Sequence, residues 1–360
     1  PLIGKIFAVN ADTGERAWTF EVPKNDPKSW AGDSRTKGGG TAWMPGTYDP
    51  STDTIYIGTS NASPDYNNDD RKGDNLYTAT MLALNPKDGS IKWHRQEVPS
   101  DVWDYDSVYE ALLVPKNGKQ ELVHLNKGGF VFVMDKDNGN LHNVWQYAEN
   151  VNWVKGINPK TGELIEPNRG ETGKQKMFCP NLLGARSWNH GAYNPKTNLW
   201  YSHGMEVCNT VTSARAGDDK LPINGLSLGL SEITLVPPPG KAKGDGYLAA
   251  FEPTTGAVKW KKRFDLPPIS SVLTTGGGLV FTGDMLGNLY AFDADNGNEL
   301  WKFAAGSGAR GGPVSYAVNG KQYITIPTGL GSHVPGFLAG AFPEIKDLPG
   351  GAALITFTLE

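Results

Sequence analysis

Three aspartates fall within six residues in Asp101-Val-Trp-Asp104-Tyr-Asp106. In an extended segment alternate side chains share a face, so Asp104 and Asp106 are expected on one side, where their charges repel unless a cation or a proton separates them. A hard metal ion does this; Ca²⁺ takes about six to eight oxygen ligands, and Asn61 offers a neutral amide oxygen to add to the carboxylates. The same spacing also suits a solvated acidic loop. Asn61 stands in Gly58-Thr-Ser-Asn61-Ala-Ser-Pro64, eighteen residues after the tryptophan of Gly38-Gly-Gly-Thr41-Ala-Trp43. The triple glycine lets backbone approach a ligand closely, and Trp43 offers a flat apolar face for an aromatic ring. Taken alone, a core tryptophan is the commoner reading. Lys127, in His124-Leu-Asn-Lys127-Gly-Gly129, either sets a point charge against a carbonyl or carboxylate or is an ordinary exposed turn lysine. Gly306-Ser-Gly-Ala-Arg-Gly311 matches the dinucleotide fingerprint, but Pro313 and a strand-like Val-Ser-Tyr follow where that site needs a helix. A nucleotide site there is excluded.

The elements that must position these residues recur along the chain. Phe7 to Trp18 and Ala83 to Trp93 each read as a short apolar strand, a polar turn ending in glycine, and a return strand reaching tryptophan. The unit returns at Phe251 to Trp260 and Phe292 to Trp301, always with tryptophan four residues after the glycine (14 to 18, 89 to 93, 256 to 260, 297 to 301). A looser copy places Trp145 six residues after Gly139. A polar residue four before the glycine (Asn10, Asn85, Asp135, Glu252, Asp293) opens the turn, and glycine takes the positive φ that closes it. One hairpin cannot bury an indole, whereas neighbouring four-stranded blades can clamp it, so the unit predicts an all-β fold, a β-propeller. Unrelated hairpins in a β-sandwich are the competing arrangement. Tyr48 to Tyr56 and Tyr193 to Tyr201 mark further hairpins. The repeat tryptophans are 75, 52, 115 and 41 residues apart, so long insertions fall before Trp93 and between Trp145 and Trp260, where function is expected.

Composition agrees: 45 glycines, 25 prolines and 11 tryptophans, with only 20% charged residues, describe a chain of turns and aromatic strands. A formal net charge of −4 gives no chain-wide attraction to nucleic acid, which is not expected as a partner. No apolar run approaches the roughly 20 residues that a membrane-spanning helix needs. With only Cys179 and Cys208, a Cys₄ zinc site, an iron–sulfur cluster and a Cys-x-x-Cys-His haem attachment are excluded.

Together the repeats, Gly-Gly-Gly-Thr-Ala-Trp43 with Asn61, Trp-Asp-Tyr-Asp106, Lys127, the two cysteines and Gly-Gly-Leu-Val-Phe-Thr-Gly283 resemble the quinoprotein alcohol dehydrogenases nearly end to end. These are eight-bladed propellers that bind pyrroloquinoline quinone and a metal on the propeller axis. The resemblance implies a single propeller domain over residues 1–360 with about six blades, some two N-terminal blades lying before this start. Those blades carry the family's adjacent-cysteine disulfide and a glutamate metal ligand. It also implies oxidation of primary alcohols by hydride transfer to the quinone, electrons then passing to a separate cytochrome c. Carried over, Trp43 is the stacking floor, with Thr41, Lys127 and Ser187 as quinone contacts. Ser187 replaces a common asparagine, and Ile269 a common tryptophan. Asn61, Asp104 and Asp106 become metal ligands, and Asp104 the general base. Asp106 resembles the extra carboxylate of lanthanide-using members, which favours a lanthanide over Ca²⁺. Cys179 and Cys208 match a family disulfide; two buried free thiols are the alternative. A bridge implies an oxidising compartment, here the periplasm, the chain itself carrying no signal-peptide pattern at its start. A homodimer is allowed. A non-catalytic propeller acting as an interaction scaffold is the alternative function.

Overall fold

The computed structural model describes residues 2–215, 217–218 and 227–358. The chain forms two compact units, one of Pro1–Gln146, Val151–Leu182 and Asn209–Ile233, the other of Tyr147–Asn150, Leu183–Cys208 and Thr234–Glu360.

The first unit contains two four-stranded antiparallel meanders. One runs Thr47–Asp49, Thr54–Gly58, Thr80–Leu84, Ile91–Gln96, the other Ala111–Lys116, Lys119–Leu125, Phe130–Asp135, Leu141–Gln146. A two-stranded hairpin, Lys5–Val9 with Arg16–Glu21, precedes them. The second unit repeats the pattern with Ala192–Asn194, Leu199–Glu206, Asp245–Phe251, Val258–Phe264 and with Leu273–Thr274, Leu279–Gly283, Asn288–Asp293, Glu299–Ala304. A three-stranded sheet, Val314–Val318, Lys321–Thr328, Ala353–Thr358, ends that unit, with the short helix His333–Leu338 between its second and third strands. The Tyr48 and Tyr193 segments are the first hairpins of their sheets, as expected.

Each repeat is the last hairpin of its sheet. The opening polar side chain caps the turn: Asn10 Oδ1 accepts from the Asp12 and Thr13 amides, and Asp293 Oδ1 from Asp295 and Asn296. The turn glycine donates back to the opening carbonyl at 2.8–2.9 Å in all five copies. Trp18, Trp93, Trp260 and Trp301 each stand opposite an alanine across the hairpin. Trp145, two residues farther along, stays on the same face because side chains alternate with a period of two, and its cross-strand partner is Val131.

The glycine does more than close its own turn. A Cβ on Gly89 would lie 2.5 Å from the Trp18 ring, one on Gly139 2.5 Å from Trp93, and one on Gly297 2.7 Å from Trp260. Each indole N–H donates to the carbonyl three residues before that glycine: Trp18 to Pro86 at 2.8 Å, Trp93 to Lys136 at 2.9 Å, Trp260 to Ala294 at 2.9 Å. The tryptophan of one sheet thus docks on the turn of the next within each unit, which buries its ring and satisfies its donor together. Trp301 instead packs edge-on against Phe357 of the three-stranded sheet, centroids 4.8 Å apart. A sixth turn of the same build, Asn158 to Gly162, escapes the sequence pattern because the strand after it, Leu164–Ile165, carries no tryptophan.

Candidate functional site

The aspartate segment is not extended. Asp104 has φ +64°, and the buried Asp101 carboxylate accepts from the Trp103, Asp104 and Tyr105 amides at 3.1–3.3 Å. Asp101 therefore folds the loop onto itself instead of joining a shared acidic face, which corrects the strand reading. The flanking aromatics anchor the loop. Trp103 and Tyr105 are 2% and 0% exposed and pack on Trp153 with centroids 4.8 and 5.2 Å away. Their polar ends are satisfied as well, Trp103 Nε1 donating to Asn168 O at 3.0 Å and Tyr105 Oη to Pro180 O at 2.6 Å. Arg71, fully buried, ties this loop to the one after Asn61, donating to Asp101 O and at 2.9 Å to Pro64 O. Nothing in the local sequence around Arg71 marks that role.

Asp104 and Asp106 nonetheless converge, on Lys127. Its Nζ lies 3.0 Å from Asp104 Oδ2 and 3.1 Å from Asp106 Oδ2, the side chains being 11%, 18% and 6% exposed respectively for Lys127, Asp104 and Asp106. Lys127 is thus the buried counter-ion of both, not an exposed turn lysine. The Asn61 amide donates to Asp106 Oδ1 at 2.9 Å, and Tyr66 Oη reaches Asp104 Oδ2 at 3.4 Å. Burial opposes charge on Lys127, but Asp104 and Asp106 beside it outweigh that and raise its pKa. Burial pushes the Asp104 carboxyl well above the usual range; Lys127 opposes the rise, and Asp106 and Asp65 add to it. Asp65 joins the cluster. Burial, opposed by a hydrogen bond from Asn61 and reinforced by the charge of Asp106, pushes its carboxyl up to about 7.

Close backbone contacts bring these loops together. A Cβ on Gly58 would lie 1.6 Å from Ser107 O, so only glycine lets the aspartate loop cross this strand end. Gly39 approaches Asn61 and Ser63 backbone in the same way, and Gly40 N donates to Asn61 O at 2.9 Å. The triple glycine is therefore filled by neighbours in the fold, Gly39 by the Asn61 loop, Gly38 by Pro23 and the Arg35 carbonyl, and Gly40 by Val22, where the sequence suggested a ligand. Thr41 Oγ1 lies 3.1 Å from Ser60 Oγ. Trp43 keeps 46% of its surface exposed, so it is a presented ring and not a core one.

Asn61, Asp104 and Asp106 offer a cation oxygen donors only. Among the described residues no three His, Cys, Asp or Glu side chains gather closely enough to hold an ion by themselves. The chemistry of the set still fits a hard cation: Asp104 and Asp106 share one ammonium, and Asp104 and the neighbouring Asp65 sit at raised pKa that added positive charge would relieve. The open Trp43 face fits a planar aromatic group. In the second unit Ser187 is buried, with its hydroxyl lacking a hydrogen-bond partner among the described residues. Neither cysteine is free; both are disulfide-bonded, which settles the alternative of two thiols.

Residues 2–152 and 246–324 match the family model for the β-propeller domain of PQQ-type glucose/ethanol/alcohol dehydrogenases. Among curated proteins, the quinoprotein alcohol dehydrogenase PedH of Pseudomonas putida is 34% identical over 99% of this chain and 64% of its own length. The dehydrogenase subunit of a Komagataeibacter europaeus alcohol dehydrogenase (quinone) is also 34% identical, over 99% of this chain and 53% of its own. The chain thus spans between half and two thirds of the length of these relatives. Among solved structures, a europium-containing methanol dehydrogenase superposes with a TM-score of 0.88 at 27% identity, covering 99% of this chain and 70% of that one. A second, the quinohemoprotein alcohol dehydrogenase ADHIIG of Pseudomonas putida HK5, has a TM-score of 0.89 at 29% identity, covering 99% and 57%. With its docked tryptophans and meander sheets, the chain belongs to the PQQ-type glucose/ethanol/alcohol dehydrogenase β-propeller family.

Proposed function

We propose that this chain carries the catalytic centre of a quinone-dependent alcohol dehydrogenase, residues 1–360 forming one propeller domain. The observation that carries the reading is the buried Lys127 ammonium shared by Asp104 and Asp106, with the Asn61 loop bonded to the second carboxylate. When bound, pyrroloquinoline quinone supplies the hydride acceptor and a metal ion the Lewis acid that polarises its carbonyl. Asn61, Asp104 and Asp106 would hold the ion; Trp43 would stack on the quinone, with Thr41 and Lys127 as its polar contacts.

Asp104 is the group placed to take the alcohol proton. Its retained exposure of 18% leaves it open to a substrate hydroxyl, and burial makes its carboxylate a stronger base than an ordinary aspartate. Lys127 opposes that rise and fixes its Oδ2, while Tyr66 sits against the same oxygen. The loop staple through Asp101 and the aromatic anchors keep Asp104 at its positive φ, so the base does not have to be ordered when substrate arrives.

Asp106 adds a second negative charge beside the first, which suits a trivalent ion, and one solved relative is named for its europium; a lanthanide is therefore the proposed metal over Ca²⁺. The substrate is a primary alcohol and the electron acceptor a cytochrome c. The disulfide favours an oxidising compartment, the periplasm. The reading is tested by titrating the purified chain with the quinone plus La³⁺ or Ca²⁺, following quinone absorbance and dye-linked alcohol oxidation. Saturable binding with turnover in the presence of an ion is expected. Absence of both with either ion refutes it.

A further inference from the structure

The rejected glycine fingerprint contains a residue with an unusual environment. Arg310 is only 7% exposed, yet among the described residues no carboxylate pairs with it. Nη1 donates to Ile269 O at 2.9 Å and to Asn189 Oδ1, and Nε to Ser332 Oγ at 3.1 Å. Asn189 closes the arrangement by donating from Nδ2 to Arg310 O at 2.9 Å. The guanidinium carbon lies 4.3 Å from the centroid of the Trp188 ring. Among the described residues Nη2 has no hydrogen-bond partner, and neither does the buried hydroxyl of Ser187 one residue before that ring.

An arginine brought out of water normally comes with an anion, because the desolvation of its charge must be offset by an opposite charge and by filling its donor fork. Here three of the donor positions are fixed by neutral acceptors, which orient the plane, and one nitrogen is left over. Burial alone lowers the guanidinium to about 10, with no carboxylate opposing the shift. Trp188, which covers one face, is 39% exposed, so the cover of this charge is itself at the surface. A planar, singly oriented guanidinium stacked on an exposed indole, with one nitrogen unfilled, has the recognition chemistry of a carboxylate.

We propose that Arg310 is an anion-recognition residue that receives a ligand carboxylate on Nη2, with the Trp188 indole as the flanking wall. The carboxylate comes either from the quinone cofactor, itself a tricarboxylic acid, or from a small free organic acid. The site is built from the second unit alone and stands whether or not the chain turns over alcohol.

The test is binding to the full chain by calorimetry and by thermal shift, with sodium acetate and with pyrroloquinoline quinone as separate probes and sodium chloride at equal ionic strength as the control. Arg310→Met keeps an apolar stem of similar length and removes the charge. Loss of a charge-assisted hydrogen bond predicts about ten- to hundredfold weaker binding of the recognised probe. Arg310→Lys, which keeps the charge without the fork, is expected between the two and serves if the methionine variant does not fold. Dependence of quinone binding alone on Arg310 assigns the carboxylate to the cofactor; dependence of acetate binding assigns it to a free acid. Equal affinity of wild type and both variants for both probes, or no binding of either beyond the chloride control, overturns the proposal. If quinone binding and turnover persist unchanged in Arg310→Met, the dehydrogenase reading stands and the anion site does not.

Discussion

Two turn glycines of one sheet separate the cost of backbone conformation from the cost of tryptophan docking. Gly118 and Gly139 both belong to the Ala111–Gln146 meander and have nearly the same positive φ, +78° and +72°. A Cβ on Gly118 meets nothing within 4 Å, whereas one on Gly139 would lie 2.5 Å from the Trp93 ring. Gly118→Ala therefore carries only the left-handed backbone penalty, about 1–2 kcal/mol. Gly139→Ala adds overpacking of about 1–3 kcal/mol. If the indole is displaced, its 2.9 Å bond to Lys136 O is also lost, worth about 0.5–1.5 kcal/mol. The expected destabilisation is roughly 3–6 kcal/mol for Gly139→Ala against roughly 1–2 kcal/mol for Gly118→Ala. Urea unfolding of both variants and wild type measures this, read as midpoint at unchanged slope. Combining Gly139→Ala with Trp93→Leu closes a double-mutant cycle, which should recover most of the excess because the smaller side chain vacates the contact. Equal destabilisation of the two alanine variants, or a cycle with no coupling, refutes the docking argument.

Two other consequences follow from the site and the core. Asp106→Ala should weaken La³⁺ activation by at least about tenfold while Ca²⁺ activation changes far less, because the removed charge matters most to the trivalent ion; equal losses measured for both ions in the dye-linked assay exclude the lanthanide assignment. His203 is buried with Nδ1 2.9 Å from Ser270 O, and burial lowers its pKa to about 3. Its folded pKa lies below the unfolded one, so the unfolded chain binds the extra proton between them. The contribution is complete above about pH 6.5 and is lost as pH falls towards 3, at up to about 1.4 kcal/mol per pH unit. The stability gap between wild type and His203→Gln, followed by urea midpoints, should shrink over that window; a gap independent of pH disproves a buried neutral histidine.

Much of the fold was legible because its repeat is local. A capping side chain, a glycine at positive φ and a tryptophan facing an alanine are set by spacings of a few residues, so five turns could be found from sequence, and the sixth, at Gly162, was hidden only by its missing tryptophan. The chemistry was legible by residue type but not by arrangement. Asp101, Asp104 and Asp106 look equivalent in the chain, yet one is spent on backbone amides and two face Lys127.

The sequence by itself determined the hairpin repeats and the presence of a single pair of cysteines, since each follows from residue identity and short-range geometry. Tertiary structure alone decided which side chains share a buried charge, that Gly39 packs on the Asn61 loop, that Trp43 is presented to solvent, and that Arg310 lacks a counter-ion among the described residues. The physical reason is that ionisation and desolvation depend on neighbours brought from distant parts of the chain. A local pattern names the groups, but only packing fixes the distances and the water around them on which their energies depend.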